Sequence, residues 1–297
     1  DSPEGGYLYA WIDYNGDGFW GGSGTETQNG NAYAWNEQIA DGLAIAAGET
    51  ATIDFFVPHE GIDPGAINAR FRLIAETEYG IRKGLDPEWT LPVGEIAYSG
   101  EVEDYVYTIL EVDYGDAANG PTMWADDGAR HVIAGPWLGT APDWEYDGQE
   151  DDNAAGDAPA DEDGVVLLDV LGNATAELIP GEWAKLEVTV AADSPEGGYL
   201  YAWIDYNGDG LWAGSGTEAQ NGNAYAWNEQ IADGLAIAAG ETATIDFFVP
   251  HEGIDPGAIN ARFRLIAETE HTIRTTLDPD WTLPLGTIAY SGEVEDY

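Results

Sequence analysis

The hydrophobic pattern of this chain has a period of two. In residues 51–57 apolar and polar positions alternate until Pro58. In residues 66–74, Ile67, Ala69, Phe71 and Leu73 share one face, and Arg70 and Arg72 share the other. Successive side chains of a strand point to opposite faces, so a half-buried strand reads this way. Residues 7–12 form a continuous apolar run that ends in a polar turn. Residues 101–110 alternate again through Val102, Tyr107 and Ile109, and residues 165–170 and 183–190 predict two more strands. Clusters of Gly, Pro, Asn and Asp separate these runs at short intervals. The pattern predicts an all-β chain built as a sandwich, immunoglobulin-like or jelly-roll-like. The one helical candidate, residues 36–45, reads as strand and turn, so no helix is expected.

The pattern also repeats. Residues 1–105 return as residues 193–297 with 95 of 105 positions identical. Among the differences, Phe19 becomes Leu211, Gly21 becomes Ala213, and Lys83-Gly84 becomes Thr275-Thr276. The period of 192 residues is far above the 20–50 of ordinary solenoids, so each unit holds one or two whole domains. The expected layout is a partial first module over 1–111, an acidic loop or linker over 112–163, and a second module over 164–297. The strands at 165–170 and 183–190 precede the second copy, and no counterpart precedes the first. The first copy is therefore expected to have an open sheet edge and an incomplete core. An open edge invites pairing. Chain upstream in a longer array would complete it, and so would a strand donated by a neighbouring copy, head to tail.

Composition narrows the functional classes. At 297 residues there is room for two or three domains. A hydrophobic share of 44%, with 12 Trp and 16 Tyr, supplies a core. Net charge is −47, from 56 Asp and Glu against 9 Lys and Arg. Such a surface repels nucleic acid and anionic membranes, so neither is an expected partner. Self-repulsion on this scale points to bound calcium, a salty habitat or a demand for solubility. There is no cysteine, which excludes disulfides and thiolate-bound metal. No apolar run is long enough to span a bilayer.

The sharpest chemical motif is Asp13-Tyr14-Asn15-Gly16-Asp17-Gly18, repeated as Asp205 to Gly210 with Asn207 and Asp209 in register. Oxygen ligands at positions one, three and five, with glycine at six, are what a loop wrapped around calcium requires. Position twelve of such a loop carries a glutamate. Here it is Gly24, and the nearest acid is Glu26, matched by Glu218. The competing reading is an Asx-rich hairpin turn. Next come Glu101 and Glu103, repeated as Glu293 and Glu295. On a strand each pair shares a face and needs a cation: calcium, or Arg70 and Arg72 in a cross-strand ladder. The third feature is the acid run Asp143, Glu145, Asp147, Asp151, Asp152, Asp157, Asp161, Glu162 and Asp163. It is either a calcium-organised loop or a solvated linker. Asn173-Ala174-Thr175 is a glycosylation sequon. No acid–base pair stands out among the acids, and the histidines show no ligand spacing, so no enzyme is expected.

Together these motifs resemble the GEVED domain. The resemblance rests on the strand at 7–13 with its Asn-Gly-Asp-Gly loop, on Ala69-Arg70-Phe71-Arg72, and on the closing Gly100-Glu101-Val102-Glu103-Asp104-Tyr105. Asp113-Tyr114-Gly115-Asp116, Asp127-Gly128-Ala129-Arg130-His131, Leu138-Gly139 and Asp161 to Val165 fit the stretch that precedes such a domain. The family often carries further acids after the loop, where this chain has Phe19-Trp20-Gly21-Gly22. The resemblance implies a β-sandwich module of large secreted or surface-anchored bacterial proteins, structural or adhesive in role, and brings no catalytic residues. The expected function is a calcium-stiffened repeat of an extracellular fibre, stalk or adhesin shaft. The alternative is a carbohydrate-binding module with Trp20, Trp35 and Trp89, or Trp212, Trp227 and Trp281, as its platform; the same tryptophans also read as packing residues.

Overall fold

The computed structural model describes residues 4–150, 162–169, 171–254 and 257–297. The chain divides into two compact units, Asp1–Leu110 and Glu111–Tyr297. Both are built mainly of antiparallel strands. The boundary differs from the expected layout: residues 112–163 belong to the second unit, where their described part supplies strands.

The first unit contains β1 (Gly6–Asp13), β2 (Ser23–Gln28), β3 (Asn31–Asn36), β4 (Gln38–Ile45), β5 (Gly65–Ala75), α1 (Glu76–Leu85) and β6 (Glu101–Ile109). Its main sheet has the order β4-β1-β5-β6. The hairpin β2-β3 turns on Asn29 and Gly30, with φ of 48° and 72°. Two positive φ values make the turn whose twist matches the flanking strands, and Asn-Gly is the pair that tolerates it. Alternation along β1 and β5 sends side chains to both faces of the sheet. Ile12, Tyr14, Ile67 and Ala69 form one cluster, and Tyr9, Trp11, Ile74 and Leu91 form the other.

The second unit repeats this plan with β11 (Gly198–Ile204), β12 (Ser215–Gln220), β13 (Asn223–Asn228), β14 (Gln230–Ile237), β16 (Ala261–Ala267), α2 (Glu268–Leu277) and β18 (Glu293–Asp296), in the sheet order β14-β11-β16-β18. Even the register irregularities after Leu8 and Ala10 recur after Leu200 and Ala202. It adds two sheets. One is β15 (Thr242–Phe248), β10 (Trp183–Thr189) and β9 (Val165–Leu168), in that order. It shares one core with the main sheet, through Leu186, Val188, Ile245 and Phe247 on one side and Leu200, Ile204, Phe263 and Leu265 on the other. That is a sandwich-like packing of two sheets. The other added sheet is β17 (Ile288–Ala289), β8 (Arg130–Val132) and β7 (Val112–Tyr114), in which β17 and β8 run parallel.

Two expectations are corrected. First, each copy contains a ten-residue helix where none was expected. Neither helix has an apolar stripe, and α1 buries no residue. What supports them is electrostatic. Acids lie in the first turn and basic residues in the last, which suits the helix dipole. Glu78–Arg82 and Glu270–Arg274 form i,i+4 pairs at 3.1 and 3.0 Å. Second, residues 51–57 are not a strand, although their identical counterparts 243–249 lie largely within β15. In the second unit β10 pairs with β15 along its whole length, Trp183 opposite Phe248 through Thr189 opposite Thr242. The first unit has no β10, and the side chains record the difference. Phe55 is 47% exposed and Val57 43%, whereas Phe247 is 6% and Val249 2%.

Candidate functional site

β1 delivers Asp13 to the mouth of the Asp-Asn-Asp loop, with its side chain buried. Gly16 and Gly18 both have positive φ, so the chain turns tightly enough for the loop to close on itself. Gly18 N–H donates to Asp13 Oδ2 at 3.1 Å, Asp17 N–H to Asn15 Oδ1 at 3.0 Å, and Phe19 N–H to Asp17 Oδ1 at 2.7 Å. In the second copy Gly210 N–H donates to Asp205 Oδ2 at 2.9 Å and Asp209 N–H to Asn207 Oδ1 at 2.8 Å. The three oxygen-bearing residues of each motif are therefore gathered in one Asx-rich turn.

The fourth acid is not the one expected from spacing. Glu26 accepts the N–H groups of His59 and Glu60 at 2.8 and 2.9 Å, and Glu218 does the same for His251 and Glu252. Both pin a different loop to the β2-β3 or β12-β13 hairpin. The acid beside the motif is Glu37, with Glu229 as its counterpart. Pairing of β1 with β4 sets Trp11 opposite Gln38, and Ile12 N–H donates to Glu37 O at 2.8 Å. This draws residue 37 up to Asp13. Its carboxylate accepts Gly22 N–H at 2.5 Å. Burial raises the pKa of Glu37, Gly22 N–H opposes the shift, and the charges of Asp13 and Asp17 add to it. Glu229 behaves alike beside Asp205 and Asp209. Asp13 Oδ1 and Glu229 Oε1 are buried without a hydrogen-bond partner among the described residues. No spacing rule marks Glu37, because tertiary pairing places it there. Among the described residues no three His, Asp or Glu side chains converge closely enough to hold a metal ion.

The second site is the terminal motif Gly292 to Tyr297, and each of its residues has a distinct task. A Cβ on Gly292 would fall 1.7 Å from Leu265 O, so only glycine fits against β16. Glu293 accepts Leu138 N–H. Val294 is buried, and its N–H donates to Asp113 Oδ2 at 2.7 Å. Glu295 accepts Gly164 N–H at 3.0 Å and Tyr297 O–H at 3.1 Å. Asp296 accepts Ala117 N–H at 2.7 Å. Tyr297 packs edge-on against Phe263, and its oxygen accepts Val165 N–H at 3.2 Å. The acids of the motif thus fasten the segment that precedes the second copy. Burial lifts the Glu295 carboxyl to about 8 and raises Glu162 well above the carboxylate range.

The cross-strand ladder between arginines and glutamates is not what forms. Register sets Arg262 opposite Asp296, and Phe263 opposite Glu295. Arg262 instead grips Asp296 at 2.8 and 2.7 Å, with both side chains fully buried. Arg264 donates to the carbonyls of Gly286 and Thr287 at 2.6 and 2.9 Å, and through Nε to His131 Nε2 at 3.0 Å. His131 must then carry its proton on Nδ1, which donates to Ser291 O at 2.7 Å. Burial, and then the charge of Arg264, hold His131 well below its usual range.

In the first copy the same motif faces outward. Glu101 and Glu103 are exposed, and Val102 is 55% exposed where Val294 is 3%. Asp104 still pairs with Arg70 at 2.7 Å, at the surface. Of the acid run, Glu145 accepts Tyr114 N–H at 2.8 Å, Asp147 accepts Trp124 N–H at 2.6 Å, and Asp163 accepts Thr140 N–H at 2.7 Å. Asp151, Asp152, Asp157 and Asp161 lie outside the described residues, as does Val170. Asn173 is exposed and donates to Asp169 at 3.1 Å. The six tryptophans considered for a platform all make packing contacts. Trp35 stands edge-on to Tyr14, Trp89 to Tyr9 and Trp281 to Tyr201, while Trp212 lies under Arg262 at 5.6 Å.

The geometry defines a sandwich-like module whose last strand clamps the preceding segment through its acids. Residues 199–297 match the family model of the GEVED domain, so the second copy carries a GEVED domain. Residues 7–105 are the counterpart of the matched stretch. Among curated proteins none matches the chain. No helix among the described residues is long and apolar enough to cross a membrane.

Proposed function

We propose that this chain is a structural repeat of an extracellular fibre, stalk or adhesin shaft, extended head to tail and stiffened by calcium, with no enzymatic role. The supporting observation is that 105 residues recur with ten changes and take the same strand order and register both times. A shaft uses one unit many times, whereas a recognition site needs to occur once. The net charge of −47 fits a role in a cation-rich exterior.

In this reading calcium binds each Asx-rich loop. The ion would draw Asp13, Asn15 and Asp17 toward Glu37, and Asp205, Asn207 and Asp209 toward Glu229, because without it no three of these acids converge closely enough to hold a metal. The buried oxygens of Asp13 and Glu229 that lack a partner are the observation behind this ligand set. A hard cation would neutralise acids that otherwise repel one another, using oxygen donors of the kind calcium prefers.

Electron microscopy of chains extended by one, two and three further periods tests the shaft. Contour length is expected to rise by a constant step per period, and chains that stay compact at every length would sink the reading. Calcium has a separate test. At a calcium level a hundredfold above Kd, binding contributes about 2.7 kcal/mol. Chelation is therefore expected to lower Tm by roughly 5–10 °C, and Asp13→Ala with Asp205→Ala should abolish most of that response. An unchanged Tm on chelation would refute it.

A further inference from the structure

The two sheets of the second unit do not close on each other everywhere. Between them lies a cavity of about 820 Å³. β9 and β10 wall it on one side with Leu167 and Leu186, and β11 and β16 on the other with Ile204 and Phe263. Protein interiors are close-packed and hold few voids larger than a water molecule. A space of this size falls instead in the range of small-molecule sites, about 300–1,000 Å³, which are mostly apolar with a few placed polar groups. The lining has that composition. Tyr206 stands on the wall, 2% exposed, and its hydroxyl is buried with no hydrogen-bond partner among the described residues. A buried hydroxyl without a partner costs free energy that a ligand oxygen would return. Tyr297, on the same wall, already donates its hydroxyl to Glu295.

We propose that this cavity binds a neutral aliphatic molecule whose head accepts a hydrogen bond, such as a medium-chain alcohol. The walls dictate that chemistry. Aliphatic side chains offer contact area and no hydrogen bonds, so the body of the ligand is hydrocarbon. A sugar would lose its bonds to water and regain few. The Tyr206 O–H donates, so the head carries an acceptor oxygen. Glu177 is the one charged group among the described lining residues, and the chain has a net charge of −47. Both disfavour a carboxylate or phosphate head. Ala176, Glu177 and Ile179 are exposed, so this rim gives the ligand a way in from solvent. The site depends on neither the shaft nor the calcium loops.

Titration calorimetry of the full chain with octanol tests the site, with octanoate as the charged control. Octanol is expected to bind saturably, and roughly tenfold or more tightly than octanoate. Ala176→Trp, at an exposed position on the rim, should keep the fold and fill the mouth, weakening octanol at least about tenfold. Tyr206→Phe removes the hydroxyl alone. It should weaken octanol roughly threefold to tenfold without lowering Tm, whereas a purely structural hydroxyl would move Tm and leave the affinity alone. No saturable binding of octanol, or binding unchanged by Ala176→Trp, would overturn the cavity as a site. Equal affinity for octanoate, or octanol binding unchanged in Tyr206→Phe, would overturn the assignment of its head group.

Discussion

Residues 51–57 and 243–249 are the same seven amino acids, Ala-Thr-Ile-Asp-Phe-Phe-Val, in two settings. One stretch lies open and irregular, and the other is a strand in a sandwich core. β-branched and aromatic content is equal, so intrinsic preference cannot separate them. What differs is a neighbour. A pleated strand needs partners for its amides and a surface for its side chains, and β10 supplies both. Fully burying a Phe or Val contributes about 1.5–3 kcal/mol against about 1–2 kcal/mol per residue to order the backbone, so the segment needs the ladder hydrogen bonds of β10 as well as burial to stay a strand.

The comparison breaks if equivalent substitutions act equally in both copies. The largest difference is expected for the aspartate of the closing motif. Asp296→Ala leaves the buried Arg262 guanidinium unpaired and should cost about 3–5 kcal/mol, read as a lower urea midpoint for the second unit. Asp104→Ala removes a surface pair and should cost less than about 1 kcal/mol. Phe247→Ala comes next, with a loss of about 3 kcal/mol, against a change near zero for Phe55→Ala. Domain-resolved hydrogen exchange assigns each loss to its unit.

The pH response is smaller and sharpens the contrast. Glu295 has a raised pKa in the folded state, about 8. Its contribution is complete below the unfolded value near 4.5 and is lost as pH rises through about 8. His131 has the opposite sign, since its depressed pKa costs stability as pH falls below about 6.5. Between pH 6.5 and 8 Glu295 and Glu162, both raised by burial, act in the same direction. The second unit should weaken there by at least about 1–2 kcal/mol, Glu295→Gln should reduce the slope, and the first unit, which has no counterpart of Glu162, should respond less. An equally sloping first unit would point to a cause shared by both copies.

Much of the fold was legible in the chain. Alternation in residues 66–74 is visible in the register of β5, with the arginines on one face and Ile67, Ala69 and Phe71 on the other. The repeat itself identified the strands missing from the first copy. The helices were not legible, because their support comes from i,i+4 charges and from Ser99 and Ser291, whose hydroxyls donate to Glu78 and Glu270. The role of Glu37 was hidden for a similar reason: it meets Asp13 through strand pairing, not through spacing. Residues 112–163 read as a linker because their hold on the second unit is made of backbone amides donated to acids, which leaves little mark on side-chain pattern.

One feature, the placement of residues 111–192 between two nearly identical acceptors, has a kinetic consequence. Synthesis proceeds from the N-terminus, so the first acceptor emerges, then the segment, then the acceptor it occupies in the folded chain. At 5–20 residues per second, the last 105 residues take roughly 5–20 s. During that delay the segment has, of the two, only the earlier acceptor to meet. A chain ending at residue 192 and freed from the ribosome is therefore expected to protect residues 51–57 from proteolysis, and the completed chain to release them. The order in which the ribosome presents interchangeable surfaces then becomes part of how this protein reaches its fold.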